Sequence, residues 1–172
     1  MPLYRADDLE AVARLVNGAY RGESSRQGWT TEADLLGGQR TDAATLARDL
    51  AARPGARLLT LREAPDAPLL GCVWLEPAEP GVQQLGMLTV RPDLQARGLG
   101  RGLLAAAEAA ARAAGAQRIR MSVISLRAPL IAWYGRRGYA PTGETRPFPY
   151  GDPRFGEPRR NDLAFVVLEK RL

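Results

Sequence analysis

Apolar residues recur along the chain with two different periods, and the switches between them outline its elements. Leu3-Tyr4-Arg5 reads as a short opening strand. Leu9, Val12, Leu15, Val16 and Ala19 then fall three or four residues apart, which predicts a helix to about Tyr20, with Asp7 and Glu10 at capping-box spacing before it. Thr31 is placed to cap a short helix through Leu36, and another helix spans 42–52, stopped before Pro54. Strand-like segments follow at 57–62, 69–75 and 83–90, separated by Ala64-Pro65-Asp66-Ala67-Pro68 and by Pro80-Gly81; they predict an antiparallel meander. A helix over 98–114, ended by Gly115, and a strand over 118–123 complete a strand–helix–strand unit. Its length demands a right-handed crossover, so strands 83–90 and 118–123 are expected as parallel neighbours. A helix over 128–137, with Pro129 in its first turn, and closing strands at 139–144 and 163–170 end the pattern.

One junction in this series carries chemistry. Strand 83–90 is broken by Arg91-Pro92-Asp93, and Gln95-Ala96-Arg97-Gly98-Leu99-Gly100-Arg101-Gly102 turns the chain into the next helix. Glycines there let the backbone approach a ligand, and the first N–H groups of a helix have no partner within it. With the positive end of the helix dipole and with Arg97 and Arg101, the loop suits a phosphate. It lacks the Gly-Lys-Ser/Thr ending of a nucleoside-triphosphate loop and the Gly-x-Gly-x-x-Gly spacing of a dinucleotide loop.

Composition narrows the setting. With 172 residues, 45% apolar and 25% charged, the chain suits one globular domain spanning 1–172. No apolar run approaches a membrane span, and Met1-Pro2-Leu3-Tyr4-Arg5 has no signal-peptide pattern, so a cytoplasmic protein without a membrane partner is expected. The lone Cys72 lies in an apolar strand, and no histidine is present to activate it; a core thiol is expected. The net charge of +5 comes almost wholly from arginine scattered along the chain, Lys170 being the only lysine. Together with the lack of any base-reading motif, that spread argues against a nucleic-acid partner.

The junction matches a pattern. Gln95-x-x-Gly98-x-Gly100 after Val90-Arg91-Pro92 resembles the acetyl-CoA pyrophosphate loop of the GNAT superfamily of N-acyltransferases, and Ala132-Trp133-Tyr134-Gly135-Arg136-Arg137-Gly138-Tyr139 resembles the family's second signature, Leu-Tyr-x-x-x-Gly-Phe. The element order agrees over essentially the whole chain. The resemblance implies an α/β (α+β) fold: a mixed, mostly antiparallel sheet of about six or seven strands with a central parallel pair, flanked by about four helices. It implies an acetyl-CoA-dependent N-acetyltransferase without a metal, acting on a small-molecule primary amine, and it admits a homodimer. Leu88 and Val90 would pair with the pantetheine arm, and the backbone of Gln95, Ala96, Arg97, Gly98, Leu99 and Gly100, with Arg101 and Gly102 nearby, would hold the pyrophosphate. Tyr134 would be the general acid that protonates the departing thiolate; the thiol's reference pKa is about 8.5 against about 10 for tyrosine, so geometry must assist. The alternative for Tyr134 is an aromatic that only packs against the cofactor. Many members carry Asn seven residues before that tyrosine. Here the position is Arg127, so Ser125 or Arg127 itself is left to replace the contact, Arg127 by reaching the phosphates.

The acceptor side is less legible. Gln84 stands where family members often carry a glutamate base and cannot act as one, which leaves Glu32 and Glu76, both also readable as solvated surface charges. Gly86 suggests a bulge that would splay the sheet and open the thioester site, or a glycine kept for packing. The polar segment around Trp29 and the proline-stiffened loop after Thr145 are expected to line the acceptor pocket through Arg26, Trp29, Phe148 and Tyr150, with Arg26 or Arg146 pairing a substrate carboxylate. Two other readings stay open: a protein N-terminus or lysine as acceptor, and an acyl-CoA sensor without catalysis.

Overall fold

Alternation along the strands decides the layers. In the computed structural model, which describes residues 8–172, β2 (Arg57–Leu61), β3 (Gly71–Glu79) and β4 (Val82–Val90) form the expected antiparallel meander. Leu59, Val73, Leu75 and Leu85 point to one face, where helix α3 (Leu99–Ala113) lays down Leu103, Leu104, Ala107 and Ala111 at helical spacing. Leu58, Cys72 and Trp74 point to the other face, against Val12 and Val16 of α1 (Leu9–Tyr20) and Leu46 of α2 (Ala43–Ala52). Cys72 is thus fully buried, and burial pushes its thiol up to about 12, which makes it the inert core thiol expected.

After α3, strand β5 (Arg118–Ile124) returns parallel to β4, and the chain continues through α4 (Ala128–Gly135), β6 (Ala140–Pro147) and β8 (Ala164–Arg171). The six-stranded sheet has the order β2-β3-β4-β5-β8-β6, parallel only between β4 and β5. Helix α3 ends in a Schellman turn: the Ala116 N–H donates to the Ala111 carbonyl and the Gly115 N–H to the Arg112 carbonyl. Asp42 caps α2 by accepting from the Thr45 N–H at 2.7 Å.

Two features shape the site. Strands β4 and β5 pair only at Val82–Gln84 with Arg118–Arg120, and beyond that β5 leans on β8 while β4 bends away. The bend sits at a bulge in the β3–β4 ladder, where Met87 and Leu88 together oppose Val73. The bulge lies where Gly86 implied it, but the strained residue is Met87, at φ 47°; Gly86 still pairs with Trp74 and has room for a Cβ. The second feature is a two-stranded ribbon, β1 (Leu36–Gly37) with β7 (Glu157–Pro158), which ties the α1–α2 connection to the loop between β6 and β8.

Some expectations change. The helix expected after Thr31 is a single turn, with the Leu35 and Leu36 N–H groups both on the Glu32 carbonyl, because Leu36 is drawn into the ribbon. Asp8 stands at the start of α1, but its carboxylate turns to Arg62 instead of capping the helix. The opening strand at 3–5 and Asp7 lie outside the described residues.

Candidate acetyl-CoA and acceptor site

The splay of β4 from β5 leaves two cavities, one on each side of a buried wall. The first, about 770 Å³, is lined by Leu88 and Val90 at the end of β4, by the loop from Gln95 to Gly98, by Gly100 and Arg101, and by α4 through Trp133 and Tyr134. Ala96 at φ 65° and Gly98 at φ 83° turn the loop so that the chain starts α3. The Gly102 N–H already bonds the Gly98 carbonyl at 3.1 Å, so the donors without intrahelical partners are those of Leu99, Gly100 and Arg101. Leu99 and Gly102 do not line the cavity. Arg136 and Arg137 add positive charge to its rim; Arg137 stacks 3.7 Å over the Trp133 ring and donates to the Trp133 carbonyl. An anionic ligand with a long apolar arm fits this combination of open helix N-terminus, guanidinium rim and strand end. A side chain at Gly98 would cost about 1–2 kcal/mol of left-handed strain. We therefore expect Gly98→Val to bind CoA about tenfold more weakly by calorimetry.

Tyr134 faces this cavity at 5% exposure, its ring edge-on to Trp133 and Tyr139. Its hydroxyl has no hydrogen-bond partner among the described residues. Burial pushes the phenol well above its ordinary value near 10, the neighbouring Tyr20 adds to the rise, and Arg127 and Arg137 oppose it. Tyr20, at the end of α1, donates to the Leu88 carbonyl at 3.1 Å and so holds β4 where it has bent away.

The wall is an ion cluster. Arg127 is 9% exposed and donates through Nη1 to Glu32 Oε1 at 3.0 Å and through Nη2 to Thr30 Oγ1 at 2.7 Å. Arg21 approaches the other oxygen, Glu32 Oε2, with Nε 3.5 Å away. Arg127 thus lines the cofactor cavity while engaged to a carboxylate, not free to extend to the phosphates, and Glu32 lines the opposite cavity. Glu76 also lines that second cavity, held by Arg53 at 2.9 Å and by the Trp74 indole N–H at 3.0 Å. Neither glutamate is the solvated charge that the sequence allowed.

The second cavity, about 860 Å³, is lined by Gly86, Met87, Ser122, Ile124 and Trp74 and roofed by Leu36 and the 147–149 and 154–155 segments. The ribbon holds this roof down. At Gly156, φ 84°, a Cβ would come 2.6 Å from the Gly37 carbonyl oxygen and collide with Arg21, so only glycine lets the two loops meet.

The expected acceptor residues divide. Gly86, Arg146 and Phe148 line the second cavity, although Phe148 is 5% exposed and mostly packed on Tyr150, Phe155 and Phe165, and Arg146 pairs with Glu144. Tyr150 lines neither cavity; its hydroxyl donates to the Arg160 carbonyl and accepts from the Leu163 N–H, fastening the loop. Arg26 lines neither cavity and is paired at the surface with Asp34 at 2.9 Å. Trp29 belongs to the cofactor side: its N–H donates to Gln95 Oε1 at 3.1 Å, and its ring lies 6.4 Å from that of Trp133. Sequence reasoning missed Tyr20, Trp133, Arg136 and Arg137 at the cofactor cavity and Arg40 at the acceptor cavity. The two arginines sit inside the second signature and could have been found there.

The model of the Acetyltransferase (GNAT) family matches residues 19–139, which include both signatures but not the roof loop. No curated protein sequence matches the chain. Ribosomal-protein-alanine N-acetyltransferase from Brucella melitensis superposes with a TM-score of 0.72 at 18% identity, covering 99% of this chain and 98% of that one. The yncA protein of Salmonella typhimurium, solved with its cofactor acetyl-CoA, gives 0.71 at 19%, covering 99% and 92%. Nourseothricin acetyltransferase gives 0.57 at 21% identity, over 69% of this chain and 66% of that one. The enzyme class and the acetyl-CoA cosubstrate expected from the two motifs agree with the family match. Among the described residues no helix is long and apolar enough to cross a membrane, and no group of three or more His, Cys, Asp or Glu is arranged to hold a metal ion.

Proposed function

Because the chain belongs to the GNAT acetyltransferase family, we propose that it transfers an acetyl group from acetyl-CoA to the primary amine of a small molecule. Residues 1–172 act as one catalytic domain in the cytoplasm. The observation that carries the small acceptor is the roof: the β1–β7 ribbon and Gly156 hold the loop between β6 and β8 over part of the 860 Å³ cavity, which the ion-cluster wall divides from the cofactor cavity. A folded protein surface would need that side open.

Acetyl-CoA supplies a thioester carbonyl for the amine to attack and a thiol as leaving group. The new bond joins the amine nitrogen to the acetyl carbon and the C–S bond breaks; the amine gives one proton to solvent, the sulfur takes one from Tyr134 Oη, and solvent returns a proton to Tyr134. The backbone of Gln95 to Gly98, with that of Gly100 and Arg101, holds the pyrophosphate, with the side chains of Arg97, Arg136 and Arg137 around it. The β4 edge from Leu88 to Val90, left without a β5 partner, lies along the pantetheine arm. Tyr134, protonated at any working pH and free of protein partners, supplies a hydrogen bond to the sulfur as charge builds there.

Thiol release from acetyl-CoA, measured with a panel of primary amines and with peptides bearing free N-termini or lysine, tests the proposal. Turnover with small amines well above hydrolysis is expected. CoA binding without turnover of any amine, or preferred turnover of peptides, overturns it.

A further inference from the structure

The charges around the acceptor cavity are unevenly satisfied. Arg21, Arg53, Arg120, Arg146 and Arg154 line it, and each has a carboxylate oxygen between 2.6 and 3.5 Å away. Arg40 lines it too, and among the described residues its guanidinium has neither an ion pair nor a hydrogen bond. It stands over the Tyr20 ring, 5.7 Å from the centroid, on a turn fixed by Asn17: the Arg40 and Thr41 N–H groups donate to Asn17 Oδ1, and Asn17 Nδ2 donates to the Thr41 carbonyl. The cation is therefore placed by the fold and left uncompensated.

Against the same tyrosine lies the ion cluster of the wall, with the Arg127 guanidinium 5.8 Å from the ring centroid. Its carboxylate, Glu32, is 7% exposed and already shared: Oε1 accepts from Arg127 at 3.0 Å, and Oε2, itself shut off from solvent, faces Arg21 Nε at 3.5 Å. So the cavity offers one unanswered cation, Arg40, beside a wall in which two further guanidinium groups, Arg21 and Arg127, share the single Glu32 carboxylate. That excess of positive charge repels a plain ammonium. An amine that brings its own anion answers the Arg40 charge and offsets that repulsion.

We infer that the acceptor is an amine carrying a carboxylate, of the amino-acid type, with its carboxylate on Arg40. A bidentate guanidinium–carboxylate contact sets the orientation and turns the amine toward the wall shared with the cofactor cavity. This inference rests on the acetyl-transfer reading above and narrows its substrate.

The test compares matched pairs of amines, each amino acid against its amide and its decarboxylated counterpart, by thiol release from acetyl-CoA in the wild-type protein and in Arg40→Ala and Arg40→Lys. The carboxylate-bearing member of at least one pair is expected to show about ten- to hundredfold higher kcat/KM, mostly through KM. Arg40→Ala brings that ratio toward one, and Arg40→Lys keeps part of it, with the melting temperature of both variants as a check on folding. Turnover of the uncharged counterparts at equal or greater efficiency, or a ratio unmoved by Arg40→Ala in a folded protein, overturns the inference and leaves the acetyl-transfer reading standing. If the protein binds CoA and turns over neither member of any pair, the acetyl-transfer reading itself fails.

Discussion

Tyr134→Phe is expected to lose about a hundredfold in kcat, within the usual range for a positioned general acid, while the KM for acetyl-CoA stays close to wild type. The ring is what packs: its edge contacts with Trp133 and Tyr139 survive the substitution, so the cavity keeps its shape. The hydroxyl makes no protein hydrogen bond among the described residues, so removing it orphans no buried group, and stability should move by about 1 kcal/mol or less. A change confined to kcat is therefore assignable to the hydroxyl. The pH profile adds a second readout. Burial raises the phenol above its ordinary value near 10, which keeps the proton on Oη as pH rises. The wild-type kcat should thus show no alkaline fall from this group up to about pH 10. A loss of less than about fivefold in steady-state assays, or an equal rise in KM, would reduce Tyr134 to a packing role.

The two halves of the site were unequally legible in the sequence. The cofactor half rests on backbone conformation over a few consecutive residues: a strand stopped by Pro92, a left-handed Gly98 and a helix that starts with free N–H groups. Such local constraints leave a mark in residue order. The acceptor half is assembled from the α1–α2 connection, the splayed strands and the roof loop, which meet at the β1–β7 pairing, and no spacing rule reports a pairing such as Gly37 with Glu157, 120 residues on. Trp29 shows the consequence. Its loop is polar enough to require a neighbour, as the sequence said, but the neighbour is Gln95 across the cofactor cavity. Arg26 and Tyr150 erred for the opposite reason, since their partners Asp34, Arg160 and Leu163 are local and leave them facing outward. Glu32 and Arg127 are 95 residues apart, so neither local sequence shows the other as its buried partner.

That buried pair yields the largest expected effect on stability. Arg127→Met removes the guanidinium and leaves the Glu32 carboxylate inside the wall with only Arg21 near it, at 3.5 Å and without a hydrogen bond. Removing one partner of a buried pair costs about 3–5 kcal/mol, and Arg21 should hold the loss near the lower end, a fall of about 6–12 °C in Tm for a chain of this length. Glu32→Gln is destabilising as well, since it leaves Arg21 and Arg127 facing one another without the charge between them. The double substitution Glu32→Gln/Arg127→Met removes both charges together and should recover at least half of the summed loss, giving a coupling of about 1–3 kcal/mol in a double-mutant cycle read by urea melts. Function should not recover with it. Arg127 also holds Thr30 at 2.7 Å, next to the Trp29 that Gln95 clamps against the pyrophosphate loop, so the double variant regains stability while its KM for acetyl-CoA stays raised. Additive losses in the melts would mean that Arg21 alone suffices for Glu32. In that case Arg127 serves the cofactor cavity first and the wall second.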